Sequence, residues 1–199
     1  MRDALVLGIG NVLWADEGFG VRCVEALAEA WTLPDGVALL DGGTQGLYLL
    51  PQVQEARRLL VFDAIDFGLA PGTLRVLEGD EVPCFMGAKK MSLHQTGFQE
   101  VLAAAQLSGR APAELVLVGV QPVELEDFGG SLRPAVRAKV PLAIEIALAR
   151  LAHWGLEARP RDRRAATTDP LGLARYEAER PSADEAFRHG DARFLARRG

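Results

Sequence analysis

Asp16, Glu17, Asp41, Asp63 and His94 have the types and settings to do chemistry together. Asp41 and Asp63 each close a short apolar run, Val37 to Leu40 and Leu59 to Phe62. Asp16 and Glu17 follow the run Ala4 to Leu7 after Gly8-Ile9-Gly10-Asn11. Carboxylate oxygens plus one neutral imidazole form a donor set that a divalent transition metal accepts. Spacing alone does not decide for a metal, because no compact motif such as H-E-x-x-H is present. Asp16 suits a helix N-cap equally well, and Glu17 sits where an acid complements a helix dipole. Asp63 is harder to read as structural, since an acid ending so apolar a strand is desolvated unless it has a partner or a task. His94 lies inside Ser92-Leu93-His94-Gln95, which has the spacing of a capping box and so opens a helix. There the helix dipole disfavours protonation and keeps the imidazole lone pair available, although a polar residue satisfied at a helix start would look the same. Asp41-Gly42-Gly43-Thr44 reads either as a tight turn or as a place where an extended peptide approaches the backbone.

Other chemistries fit less well. Cys23 lies on an apolar helical stripe and Cys84 has no nearby histidine, so neither reads as a nucleophile. No G-x-S-x-G elbow follows a strand, and Ser92 is occupied as a cap. Gly8-x-Gly10 suggests a dinucleotide turn, but Leu13 stands where the third glycine belongs. The formal net charge of −5, with both signs spread along the chain, lacks the basic stripe of a nucleic-acid binder. Apolar runs are far below the roughly 20 residues of a membrane span, and the N-terminus has no secretory-signal pattern. A cytoplasmic monomer that neither binds nucleic acid nor inserts into membranes is expected.

The elements that must position these residues alternate strand and helix. Strands are predicted at Ala4 to Leu7, Val37 to Leu40, Leu59 to Phe62, Leu74 to Leu77 and Leu115 to Val120. The first helix begins near Asp16 and carries Gly20, Cys23, Val24, Leu27 and Trp31 at i, i+3, i+4, i+7 spacing. A second follows Ser92, with Phe98, Val101, Leu102 and Ala105 inward. The last starts at Pro134 and should kink at Pro141. This is an α/β chain with an open, mostly parallel sheet, whose carboxyl ends share one crevice. The composition changes after Trp154, so the predicted organisation is a domain over 1–154 and a charged, flexible tail over 155–199, with Leu171, Leu173 and Tyr176, or Phe187 and Phe194, able to dock as short helices as the alternative.

Leu7-Gly8-Ile9-Gly10-Asn11-Val12-Leu13, Asp16-Glu17-Gly18-Phe19-Gly20-Val21, Asp41-Gly42-Gly43-Thr44, Phe62-Asp63-Ala64 and Ser92-Leu93-His94-Gln95 together resemble the hydrogenase maturation proteases. The resemblance covers roughly Met1 to Trp154. It implies a three-layer, phosphorylase/hydrolase-like fold and an endopeptidase, aspartic-type by family classification. Such an enzyme removes the C-terminal peptide of the nickel-loaded precursor of a nickel-iron hydrogenase large subunit. Glu17, Asp63 and His94 map onto the metal-contacting residues, and the nickel is carried by the substrate and touched transiently. Asp63 is also the expected catalytic acid, with Asp41 as a supporting acid behind the metal-contacting residues or a water-orienting base. Asn11 to Gly20, Gly87-Ala88-Lys89-Lys90-Met91 and Leu125-Glu126-Asp127-Phe128-Gly129-Gly130 look most like the branch serving membrane-bound uptake hydrogenases. A non-enzymatic chaperone that inspects nickel with the same residues is the alternative reading.

Overall fold

The computed structural model describes residues 1–82, 93–163, 165, 169 and 171–180, with the backbone alone at residues 93–96. In chain order the elements are β1 (Ala4–Ile9), a 3-10 turn (Ala15–Gly18), α1 (Phe19–Ala30), β2 (Trp31–Thr32), β3 (Val37–Gly43), a second 3-10 turn (Gly46–Leu49), α2 (Leu50–Gln54), β4 (Arg58–Ala64) and β5 (Leu74–Glu78). They continue with α3 (Leu93–Leu107), β6 (Glu114–Val120), α4 (Pro134–Arg137), α5 (Val140–His153), β7 (Arg159–Pro160) and α6 (Leu173–Glu179).

The main sheet has the order β3-β1-β4-β6-β5, in which β5 alone runs antiparallel, against β6. Side-chain alternation along each strand supplies two cores. Val6, Leu60, Phe62 and Val118 face α1 and α5. Leu5, Leu7, Leu59, Val61 and Leu117 face α2 and α3. The predicted sheet and its helical covering are therefore present as three layers. Each large aliphatic side chain moved from water into such a layer contributes about 1.5–3 kcal/mol.

Two local expectations change. Trp31 leaves the helix and opens β2, which pairs with β7 in a separate ribbon. The predicted kink at Pro141 is a break: α4 ends at Arg137 and α5 restarts at Val140, with Pro141 in its first turn. A proline ring collides with the carbonyl four residues back and brings no N–H, so the chain gives up one turn and places the proline where no donor is needed. The proposed Ser92–Gln95 capping box, Cys84 and the Gly87–Met91 segment lie outside the described residues or side chains.

The chain leaves β1 towards β3 on one side and returns to β4 on the other, so the sheet reverses direction between β1 and β4. A crevice opens at the carboxyl ends of the strands at such a switch point. The loop after β1 carries Glu17, and β4 ends at Asp63-Ala64.

Candidate metal-contacting site

Close backbone contact builds the first wall of this crevice. A Cβ on Gly20 would fall onto the carbonyl oxygens of Phe62 and Ile9, and one on Gly8 onto the Gly20 carbonyl. Glycine at both positions lets the start of α1 rest directly on β1 and β4. Gly10, at φ 134, lies beneath the Glu17 carbonyl, where any side chain would collide. Ala15 is left-handed at φ 43, a conformation that costs a non-glycine residue on the order of 1–2 kcal/mol. These constraints turn the chain sharply and seat the half-buried Glu17 in a 3-10 turn packed against β4.

Asp63 is completely buried. Its Oδ1 accepts the N–H of Ala64 at 2.8 Å. Phe62 and Ala64 belong to the α1 face of the sheet and Val61 to the α3 face, so by alternation Asp63 emerges beneath α3. Residue 94 lies in the first turn of that helix, with its side chain outside the described set. The turn is seated by another close approach, in which a Cβ on Gly97 would stand 3.3 Å from the Cα of Gly46. Glu17 and Asp63 thus flank the switch point, and the helix carrying His94 covers the face on which Asp63 emerges. Among the described residues no group of three His, Cys, Asp or Glu side chains converges, a search that leaves out the His94 side chain.

The structure sets Asp16 and Asp41 apart from this pair. Asp16 caps no helix. Fully buried, it accepts the N–H groups of Val123 at 2.8 Å, Glu124 at 3.0 Å and Arg133 at 2.7 Å, tying the loop after β6 to the loop after β1. Trp14 and Phe128 reinforce that tie edge to face, with ring centroids 5.3 Å apart. Asp41 pairs in register with Gly8, and Gly8 with Phe62. It therefore leaves the sheet on the α1 face, opposite to Asp63. Its Oδ1 accepts the N–H of Gly43 at 2.9 Å. Burial raises its pKa, and the charge of Asp169 adds to this; the Gly43 N–H and the Arg22 guanidinium oppose it.

Three features of this end of the sheet had no signal in the spacing of candidate ligands. Gln121, at the end of β6, accepts the N–H groups of Phe67 at 2.7 Å and Leu69 at 3.1 Å and so holds the loop after β4. Arg22, 3% exposed, bonds both carboxylate oxygens of Glu25 and the carbonyl of Leu171 at 2.6 Å. Tyr176 of α6 lies over its guanidinium, 5.5 Å from the ring centroid. Within the segment expected to be a flexible tail, residues 171–180 therefore make defined contacts with the body. Cys23 is buried, and burial pushes its thiol pKa well up, in line with an inert core residue.

The family model for hydrogenase maturation protease matches residues 21–150. The chain belongs to the hydrogenase maturation protease family. A similar relative is hydrogenase expression/formation protein HupM of Azotobacter chroococcum mcd 1, 64% identical, over 99% of this chain and 95% of that one. The hydrogenase 2 maturation protease of Escherichia coli K12 is 46% identical over 79% of this chain and 96% of its own. The solved structure of the E. coli hydrogenase maturating endopeptidase HybD superposes with a TM-score of 0.76 at 46% identity, over 81% of this chain and 98% of that one. The fold of this hydrogenase maturation protease is thus the one found in HybD, and it is a hydrolase of the endopeptidase type. Among its described residues no helix is long and apolar enough to cross a membrane.

Proposed function

We propose that the chain removes the C-terminal peptide from the nickel-loaded precursor of a nickel-iron hydrogenase large subunit, working as a cytoplasmic monomer on the branch that serves uptake hydrogenases. Residues 1–154 form the peptidase domain. Glu17, Asp63 and His94 complete the coordination of nickel that the substrate brings, and Asp63 is the acid nearest the reaction. The observation that carries this reading is Asp63 itself: a fully buried carboxylate at the end of an apolar strand, beside the switch point and the turn that holds Glu17. A divalent ion arriving with the substrate adds a partner of opposite charge beside the Ala64 N–H that Asp63 already bonds. Oxygen and imidazole donors suit nickel, and contact with the ion fixes the scissile bond where its carbonyl is polarised or a water is activated.

A macromolecular substrate suits the rim. The loops at this end of the sheet expose Tyr48 at 84%, Leu47 at 53%, Val123 at 49% and Phe128 at 46%. Exposed aromatic and aliphatic side chains on loops are a common setting for protein contacts. Asp41 is assigned a supporting part, bracing the turn at Gly43 rather than touching the ion.

Mass spectrometry of the precursor's C-terminus, after incubation with and without nickel, tests the proposal. A shortened product is expected only from nickel-loaded precursor, and Glu17→Gln, Asp63→Asn and His94→Ala should each leave it uncut while remaining folded. Binding of the loaded precursor without any cleavage by the wild type would favour the nickel-inspecting chaperone instead. Normal processing by all three variants would refute the site.

A further inference from the structure

The C-terminal segment binds back onto the working end of the molecule. Arg22 anchors it at one end through the Leu171 carbonyl and the Tyr176 ring. At the other, the Tyr176 hydroxyl donates to the Gly130 carbonyl at 3.1 Å, and Glu177 accepts from Ser131 Oγ and from Arg137, each at 2.8 Å. Gly130 and Ser131 belong to the same loop that Asp16 holds through Val123, Glu124 and Arg133, and that presents Phe128 at the rim. Asp16 immediately precedes Glu17. The segment therefore braces a rim loop one residue from a proposed nickel contact.

The comparisons add an independent observation. HupM matches 99% of this chain, whereas HybD is itself 98% covered by only 81% of it. The family model ends at residue 150, ahead of this segment, and about a fifth of this chain has no counterpart in HybD. A segment outside the family model, yet held by a buried arginine against the rim, points to work done on the substrate side.

We propose that residues 171–180 are a specificity strap: docked on Arg22, on the Gly130 carbonyl and on the Ser131 hydroxyl, they set the shape of the rim loop that receives the precursor. By this means the enzyme favours its own large-subunit precursor over that processed by the shorter relatives. The proposal rests on the function given above. The strap touches neither the ion nor the scissile bond and acts by positioning.

Its test uses the full-length protein carrying Tyr176→Ala with Glu177→Ala, and separately Tyr176→Phe, which keeps the ring over Arg22. Hydrogen exchange at 121–133 reads the rim loop. KM, kcat and direct binding by biolayer interferometry are measured on two nickel-loaded precursors, that from the same organism and that of E. coli hydrogenase 2. The double variant should exchange faster at 121–133 and lose about tenfold in KM and Kd for its own precursor, as expected from the loss of a few hydrogen bonds. Its kcat should stay within about twofold, its binding of the E. coli precursor should be unchanged, and Tyr176→Phe, which loses only the hydroxyl bond to Gly130, should show a smaller loss than the double variant. Equal losses on both precursors, a fall in kcat with KM intact, or faster exchange with unchanged affinity would overturn the proposal. Unchanged exchange would overturn the contact set on which it rests. A wild type that cleaves neither precursor would count against the proposed function instead, while exchange and binding would still read the strap.

Discussion

Asp16 and Glu17 are neighbours of one chemical type with opposite surroundings, and their environments separate their work. Asp16 is sealed and meets three backbone donors from the loop after β6; Glu17 is half-buried at the crevice. Sequence reasoning could weigh Asp16 as a cap or as an acid on the rim but not as this tie, because its partners lie more than a hundred residues away and are backbone groups, which leave no trace in side-chain spacing. Asp63 was legible for a physical reason: an ionisable group that ends an otherwise apolar strand is costly wherever the strand goes. Removing the Asp16 carboxylate strands buried N–H groups, so Asp16→Ala should lower stability by on the order of 3 kcal/mol. Urea unfolding of the purified variant measures this, and a change under about 0.5 kcal/mol, typical of an ordinary surface site, would contradict the tie described here.

At the scale of elements, the apolar runs read correctly as strands because β1 and β4 are covered on both faces, which makes them nearly continuous in hydrophobicity. The register between strands was not legible, and register is what moved Asp41 away from Asp63. One residue of alternation decides the face of the sheet, and pairing Asp41 with Gly8 gives it the α1 face. Its carboxylate instead braces the turn at Gly43, and the chain continues to Gly46, on which the first turn of α3 sits through Gly97. The expected consequence is that Asp41→Ala loosens the seat of residue 94 and slows precursor processing about tenfold, as loss of one charge-assisted hydrogen bond predicts. Asp41→Asn keeps an Oδ1 acceptor and should restore most of the rate. Single-turnover processing assays distinguish this from a direct acid role, in which Asn would be as damaging as Ala.

On the scale of the whole molecule, the body was foreseeable from composition and pattern, whereas docking of the segment around Leu171 and Tyr176 was legible only as an alternative to a flexible tail. Its anchor is a charged residue on a helix whose other inward positions are apolar, and its main partner is the carbonyl of a leucine 149 residues on. Glu177 gives the docking a pH signature. Burial raises its pKa, but the Ser131 hydroxyl and the Arg137 guanidinium more than reverse this, and the carboxyl titrates below its ordinary value. Its contribution is therefore complete above the unfolded glutamate value of about 4.3 and fades as pH falls through the lower folded value. Limited proteolysis across this range should find residues 171–180 protected at neutral pH and cut increasingly in acid. Glu177→Gln should flatten that dependence, and an equally steep profile in the variant would locate the acid sensitivity elsewhere. The edge-to-face pair of Trp14 and Phe128 has a practical use in this setting. An indole held beside the crevice, on a loop that the proposed substrate would meet, makes its emission a built-in gauge of occupancy. Arrival of the precursor can then be timed by stopped flow separately from the cut that follows, without attaching any label.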